Sequence, residues 1–124
     1  MRLALVVDDD SVSRRVVMRH IERAGYAAVG AADGPSALEL IRRLAPSVLC
    51  VDLNLPGMSG IELVARARER HPGAMPPVVL MTASTDALVP ERALAAGIDH
   101  VVRKPLGSRD IARLVLPHLA AAIR

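Results

Sequence analysis

Asp8, Asp9, Asp52, Thr82 and Lys104 are the side chains of this sequence best suited to chemistry. Each stands where a short apolar run stops: Val6-Val7-Asp8-Asp9, Cys50-Val51-Asp52, Leu80-Met81-Thr82 and Val102-Arg103-Lys104-Pro105. Carboxylates gathered at one place repel, and a low-dielectric surrounding strengthens the repulsion. A divalent cation relieves it. Hard carboxylate oxygens suit Mg²⁺, which keeps several waters and accepts one or two carboxylates plus phosphate. A carboxylate beside such a cation can attack phosphorus. Its phosphorylation adds roughly one negative charge and several strong acceptor oxygens. The Thr82 hydroxyl and the Lys104 ammonium are the donors at hand, and Ala83 is small enough to leave the phosphoryl group room. Asp52 precedes Leu53-Asn54-Leu55-Pro56-Gly57, a turn-rich stretch expected to leave its carboxylate exposed. Lys104 is the only lysine among 16 basic residues. Arginine serves every other positive charge, so a compact ammonium is wanted here instead of a planar fork.

The elements that must position these groups follow from the pattern of apolar residues. Short continuous apolar runs alternate with amphipathic stretches, as in βα units around a buried parallel sheet. Strands are expected at Leu3–Val7, Tyr26–Ala31, Ser47–Asp52, Val78–Thr82 and His100–Arg103. The first helix is expected over Ser11–Ala24, with Val17, Ile21 and Ala24 inward, Asp10 or Ser11 as its cap and Gly25 as its stop. Pro35 suits the first position of a second helix whose apolar face is Ala37, Leu38, Ile41 and Leu44, ending before Pro46. Ser59-Gly60-Ile61-Glu62 reads as a capping box opening a third helix, with Ile61, Val64 and Ala65 inward. His71–Pro77 reads as a loop. Pro90 sets the start of the fourth helix near Val89, and Gly97 ends it. The last helix spans Ser108–Ile123 with Ile111, Leu114, Val115 and Ala122 inward, and Pro117 should kink or split it near Ile111–Arg113. Five such units with right-handed crossovers form a doubly wound sheet. Its ligand site belongs at the carboxyl ends of the strands, where all five reactive residues fall.

Composition narrows the function classes. A chain of 124 residues is one domain. With 52% apolar residues a core can form, and it is aliphatic: Tyr26 is the only aromatic. The net charge is +3, yet Arg14, Arg15, Arg42, Arg43, Arg66, Arg68 and Arg70 are spread over several helices, as expected for solvated faces. No recognition helix with clustered basic and amide residues stands out, which argues against direct nucleic-acid binding. Cys50 is alone and reads as a small core hydrophobe. His20, His71, His100 and His118 show no ligand spacing. Nothing resembles a signal peptide, and no apolar run approaches a membrane span. The expected location is therefore cytoplasmic, without membrane attachment.

Taken singly, each reactive residue has a plain structural explanation. An aspartate after a strand can cap a helix, a threonine can finish a strand, and a lysine can be solvated. Their coincidence at four strand ends is what those explanations do not cover. Together these residues resemble the receiver domain of bacterial response regulators, a flavodoxin-like (βα)5 fold with strand order 2-1-3-4-5. The resemblance covers the whole chain, and the intervals agree: Thr82 lies 30 residues after Asp52, and Lys104 lies 22 after Thr82. The resemblance implies that Asp52 accepts a phosphoryl group from a histidine kinase or histidine phosphotransfer protein. It implies Mg²⁺ held by Asp9 directly, by Asp8 through water, by Asp52, and by the backbone carbonyl of Asn54. It further implies that Lys104 contacts the phosphoryl group, that Pro105 follows a cis peptide bond, and that Thr82 is a switch hydroxyl. Asn54 and Ser84 match positions that tune the lifetime of the acyl phosphate.

Three residues depart from that family. Val101 stands where an aromatic is usual, Pro90 falls where the fourth helix normally continues, and Pro117 falls in the fifth. All three lie on the face that relatives use for dimers and output, the face where a homodimer is expected and where transmission should depart from the family's route. The sequence carries no output domain, and the reader of the signal is a downstream target protein or a fused output domain. Two other readings compete with this one. A phosphorylation-independent pseudo-receiver is opposed by the full retention of Asp8, Asp9, Asp52, Thr82 and Lys104. A nucleotide- or flavin-binding enzyme on the same architecture is opposed by the absence of a glycine-rich phosphate loop and of stacking aromatics. An aspartyl-phosphate hydrolase would want a carboxylate where Asn54 stands.

Overall fold

The computed structural model describes residues 2–73 and 75–121. Five strands, β1 (Leu3–Val7), β2 (Ala27–Ala31), β3 (Val48–Asp52), β4 (Val78–Thr82) and β5 (His100–Arg103), form one parallel sheet in the order β2-β1-β3-β4-β5. This is the flavodoxin-like arrangement expected from the alternation of apolar runs and amphipathic stretches. The central strands β1, β3 and β4 are buried along their whole length, which explains why they read as unbroken apolar runs. Their alternate side chains serve two cores. Leu5, Val7, Leu49, Val51, Val78 and Leu80 pack with α2 (Gly34–Leu44), α3 (Gly60–Arg70) and α4 (Leu88–Ala95). Ala4, Val6, Val48, Cys50, Val79 and Met81 pack with α1 (Ser11–Arg23) and with the last helix through Val17, Ile21, Ile111, Val115 and Leu119. Strand order reverses between β1 and β3, which opens a crevice at their carboxyl ends.

Helix ends differ from the sequence expectations for local reasons. Asp10 caps α1 by accepting from the Val12 N–H, and Ala24 is an exposed C-cap instead of an inward residue, because Gly25 at φ +94° turns the chain away. Tyr26 precedes β2 and Ser47 precedes β3. Asp33 caps α2 by accepting from Ser36, so Gly34 takes the first position and Pro35 the second, where a missing N–H costs nothing. Gly34 lets the Met58 side chain pack close, since a Cβ there would sit 2.4 Å from its sulfur. Leu44 is half-buried. In α3 the inward residues are Leu63, Val64 and Ala67, while Ala65 is exposed and Ile61 half-buried. Ser59 accepts from the Glu62 N–H, which is one half of the expected capping box; the Glu62 carboxylate lies 3.5 Å from Arg66 instead of returning to the Ser59 N–H. Helix α4 begins at Leu88, one residue before the expected start. Pro90 is its third residue, still inside the first turn, and the Asp86 carboxylate accepts from the Leu88 N–H.

The last helix, α5, is not broken but widened. It runs as α-helix over Ser108–Asp110, as π-helix over Ile111–Val115 and as α-helix again over Leu116–Ala121. The Leu116 N–H reaches the Ile111 carbonyl, five residues back. In a regular helix the Pro117 ring would collide with the carbonyl four residues before it, at Arg113. The wide turn ends just before the proline and absorbs the misfit. Ile111 and Val115 are buried as expected and Leu114 is half-buried. The calls on Ala122 and Ile123 lie outside the described residues. Among those described, no helix is long and apolar enough to cross a membrane.

Candidate metal and phosphoryl site

Asp8 and Asp9 leave the end of β1, Asp52 ends β3, Thr82 ends β4, and Lys104 follows β5. One oxygen from each carboxylate of Asp8, Asp9 and Asp52 lies within 4.8 Å of the others. The Lys104 ammonium donates to Asp8 Oδ2 at 2.8 Å and to Asp52 Oδ2 at 3.2 Å. The Lys104–Pro105 peptide bond is cis. The structure therefore unites groups 96 residues apart in the chain.

Asp8 is fully buried, and every polar atom it carries is engaged. Its N–H donates to the Ala31 carbonyl at 3.0 Å. Its carbonyl accepts from Arg14 Nη1 at 2.7 Å. Its Oδ1 accepts from the Asp10 N–H at 3.0 Å, and its Oδ2 takes the lysine. Burial pushes this carboxyl up, but Lys104, the Ser13 hydroxyl and the Asp10 N–H together outweigh it and hold it below the ordinary aspartate value. Asp9, by contrast, is exposed, and its carboxylate takes no hydrogen bond from the described residues. It is the one carboxylate of the three left without a partner among the described residues.

Asp52 lies deeper than its turn-rich sequel suggests and is buried. Its Oδ1 receives only a long contact of 3.4 Å from the Asn54 N–H. Burial raises its carboxyl above the ordinary value, the Asp8 charge adds to the rise, and Lys104 only partly offsets it. The same lysine thus leaves two carboxyls shifted in opposite directions. The reason is that Asp8 has closer and more numerous donors. Lys104 is itself partly buried, which lowers its ammonium, yet two carboxylates win and raise it.

The loops hold these groups by backbone contacts. The Leu53 N–H donates to the Met81 carbonyl at 2.8 Å, and the Gly60 N–H donates to the Leu53 carbonyl at 2.6 Å. Between them Asn54 and Leu55 pair with Ser59 and Met58 in a short antiparallel ladder whose turn is Pro56–Gly57, with Gly57 at φ +75°. A Cβ on Gly60 would meet the Asp52 carbonyl oxygen at 2.3 Å, so glycine is required where α3 begins. The Thr82 hydroxyl is buried and accepts from the Ser84 N–H at 2.9 Å. The Thr82 carbonyl accepts from the Lys104 N–H at 2.9 Å, which ties β4 to the lysine loop. Ala83 is exposed beside it. Val101 is exposed on β5 and lines a groove of about 280 Å³ with Thr82, Ser84, Val89, Pro90 and Arg103.

Two site residues were not found by sequence reasoning. The sequence pattern reads Arg14 as a solvated arginine, whereas it lies half-buried against Asp8. Its signal was available: Arg14, Val17 and Ile21 share one helix face. Gly60 was read only as part of a cap, and no local pattern announces a contact with Asp52. The four histidines remain apart from the site, although the His100 and His118 rings come within 6.2 Å of each other. Cys50 is fully buried, and burial pushes its thiol up to about 12, in keeping with a packing role.

The donor set fits a hard divalent cation, since all its ligand atoms are oxygens and no Cys or His among the described residues joins the cluster. Comparison with known proteins agrees with this geometry. The sequence pattern of the response regulator receiver domain matches residues 4–116. The transcriptional regulatory protein KdpE of Mycobacterium tuberculosis is 35% identical over 124 residues, which cover 100% of this chain and 52% of KdpE. A cyclic di-GMP phosphodiesterase of Thermotoga maritima is 32% identical over 114 residues, 92% of this chain and 30% of that protein. The chain thus spans about half or less of the length of these curated relatives. A crystal structure of a CheY-like response regulator receiver domain protein from Methanospirillum hungatei superposes with a TM-score of 0.86 at 26% identity, covering 98% of this chain and 95% of that one. Sheet order, the converging carboxylates and these similarities agree: the chain belongs to the response regulator receiver domain family of two-component systems.

Proposed function

We propose that this domain is a Mg²⁺-dependent phosphoacceptor whose acceptor is Asp52. The observation that carries the reading is the Lys104 ammonium bridging Asp8 and Asp52 beside a free Asp9. Asp8, Asp9, Asp52 and the Asn54 carbonyl would hold the cation. Bound there, it would neutralise charge on the transferring phosphoryl oxygens. The chain's own groups do the rest. An Asp52 carboxylate oxygen forms a bond to phosphorus while the bond from phosphorus to a donor imidazole breaks, and the imidazole leaves with the electron pair. Asp52's raised basicity suits it to attack. Lys104, already 3.2 Å from that carboxylate, offers a donor to the new phosphoryl oxygens. The Thr82 hydroxyl turns from its Ser84 contact to the same group, with Ala83 leaving space. Asn54 and Ser84 flank the product and govern water's access to it.

The donor is a histidine kinase or histidine phosphotransfer protein. An apolar groove of about 450 Å³ lined by Val12, Val16, Ala83, Lys104, Pro105 and Leu106 offers such a partner a seat beside the reactive edge. The signal is read by a downstream target protein or a fused output domain, not by direct contact of this domain with nucleic acid. In this reading residues 1–124 are one receiver domain acting in the cytoplasm, a phosphoacceptor that assists its own phosphorylation and not a free-standing enzyme. Incubation with Mg²⁺ and a small acyl-phosphate donor, followed by intact mass measurement, tests it. The expected result is a gain of one phosphoryl group that needs Mg²⁺ and is absent from Asp52→Asn. No gain, together with no Mg²⁺ binding, would replace this reading with that of a phosphorylation-independent interaction module.

A further inference from the structure

We infer that Arg14 is a positioning residue for the cation-binding loop, and that Gly30 on β2 is the seat that lets it act. The Arg14 guanidinium donates to the Asp8 carbonyl at 2.7 Å from one turn into α1. To reach it, the side chain crosses the face of β2. A Cβ on Gly30 would stand 2.9 Å from Arg14 Cδ, 3.1 Å from Arg14 Nε and 3.0 Å from the Met18 sulfur. Glycine in a strand interior weakens the strand, and its presence often marks a close approach. Here the approach is that of the arginine stem.

The consequence falls on the peptide between Asp8 and Asp9. The Asp8 N–H is held by the Ala31 carbonyl and its carbonyl by Arg14, so β2 and α1 grip this turn from both sides. Asp9 begins directly after the gripped carbonyl and has no side-chain partner of its own among the described residues. Its direction is therefore set by the backbone that Arg14 fixes. Groups that orient ligands from behind typically alter metal affinity strongly when lost. A purely electrostatic role would have the opposite sign. A positive charge close to three carboxylates disfavours a second cation, so its removal would tighten Mg²⁺ binding.

This inference rests on Asp8 and Asp9 being cation ligands, and its test separates the two. Amide hydrogen exchange is measured on the cation-free protein, and Mg²⁺ titration follows, for wild type, Arg14→Ala, Arg14→Lys and Gly30→Ala. The Asp10 amide, bonded to Asp8 Oδ1, is expected to exchange about ten-fold faster in Arg14→Ala, with amides of β3 and β4 unchanged. Mg²⁺ affinity is expected to fall about ten-fold. Gly30→Ala should move both readouts the same way, and Arg14→Lys should restore most of them. Unchanged exchange at Asp10, faster exchange across all strands alike, or tighter Mg²⁺ binding would overturn the inference. A wild type that binds no Mg²⁺ would sink the phosphoacceptor reading, while exchange at Asp10 would still decide the role of Arg14.

Discussion

The polar ends of β1, β3 and β4 and the flank made by α4, β5 and α5 meet at Lys104, yet they are built on opposite terms. At the acidic end the strands are buried throughout, the polar atoms of Asp8 are all engaged, and Gly60 closes on the Asp52 carbonyl. On the flank, β5 alternates half-buried and exposed residues, α4 starts without a side-chain N-cap bond at Ala87, and α5 carries a π turn. Leu88 and Leu94 stand in solvent at 49% and 76% exposure. The difference separates two requirements. A reactive constellation has to be held before its reaction. A flank that holds no part of that constellation is free of this requirement, and its outer residues can vary in shape while the constellation stays in place.

Removing the one group shared by both regions should have the largest effect. Lys104→Met leaves Asp8 and Asp52 ionised, buried and mutually repelling, and is expected to cost about 2–4 kcal/mol at pH 7. The loss depends on pH in a stated direction. The Asp8 carboxyl lies below its ordinary value, so its contribution is present above that value and fades as pH falls through the lower, folded one. Urea melts at neutral and acid pH should therefore show the mutant's deficit shrinking in acid. An equal deficit at both would mean that Lys104 acts through packing alone.

A change confined to the acidic end should act with the opposite sign. The Asp52 carboxyl lies above its ordinary value, so it favours folding while protonated and loses that contribution as pH rises through its folded value. Asp52→Asn is expected to stabilise the domain by about 1 kcal/mol at pH 7 and to raise the melting temperature by about 3–5 °C. The gain should vanish in acid, where wild-type Asp52 is protonated too. A lower melting temperature at pH 7 would show that Asp52 is held by more than its repulsions suggest.

On the flank the smallest effect is expected. Leu94→Ser should change stability by no more than about 0.5 kcal/mol and leave Mg²⁺ affinity untouched. A larger loss in denaturant melts would show that the flank is packed more tightly than its exposure indicates.

The same contrast explains what could be read from the sequence. The central strands announced themselves because burial on both faces leaves a continuous apolar run, and the reactive residues were legible because each ends such a run. β4 and β5 fall where the pattern places them. Contacts between elements were not legible. In α3 Val64 is inward as expected, but Ile61 and Ala65 on one side of it and Leu63 and Ala67 on the other are equally apolar flanks, so the helix phase was off by part of a turn. Pro117 announced a disturbance in α5 but not its form, because a kink and a widened turn relieve the same collision. Arg14 and Gly60 owe their roles to partners brought near only by folding.

The solitary lysine turns this protein into its own reporter. Grown with isotopically labelled lysine, the chain would carry one labelled side chain, seated between Asp8 and Asp52, and its spectrum would need no assignment. If the proposed function holds, a single side-chain signal would then follow the arrival of a cation, the bond to phosphorus and its hydrolysis in one sample. The same solitude carries a liability: any reagent or enzyme that acylates lysine side chains can strike only the ammonium that bridges Asp8 and Asp52.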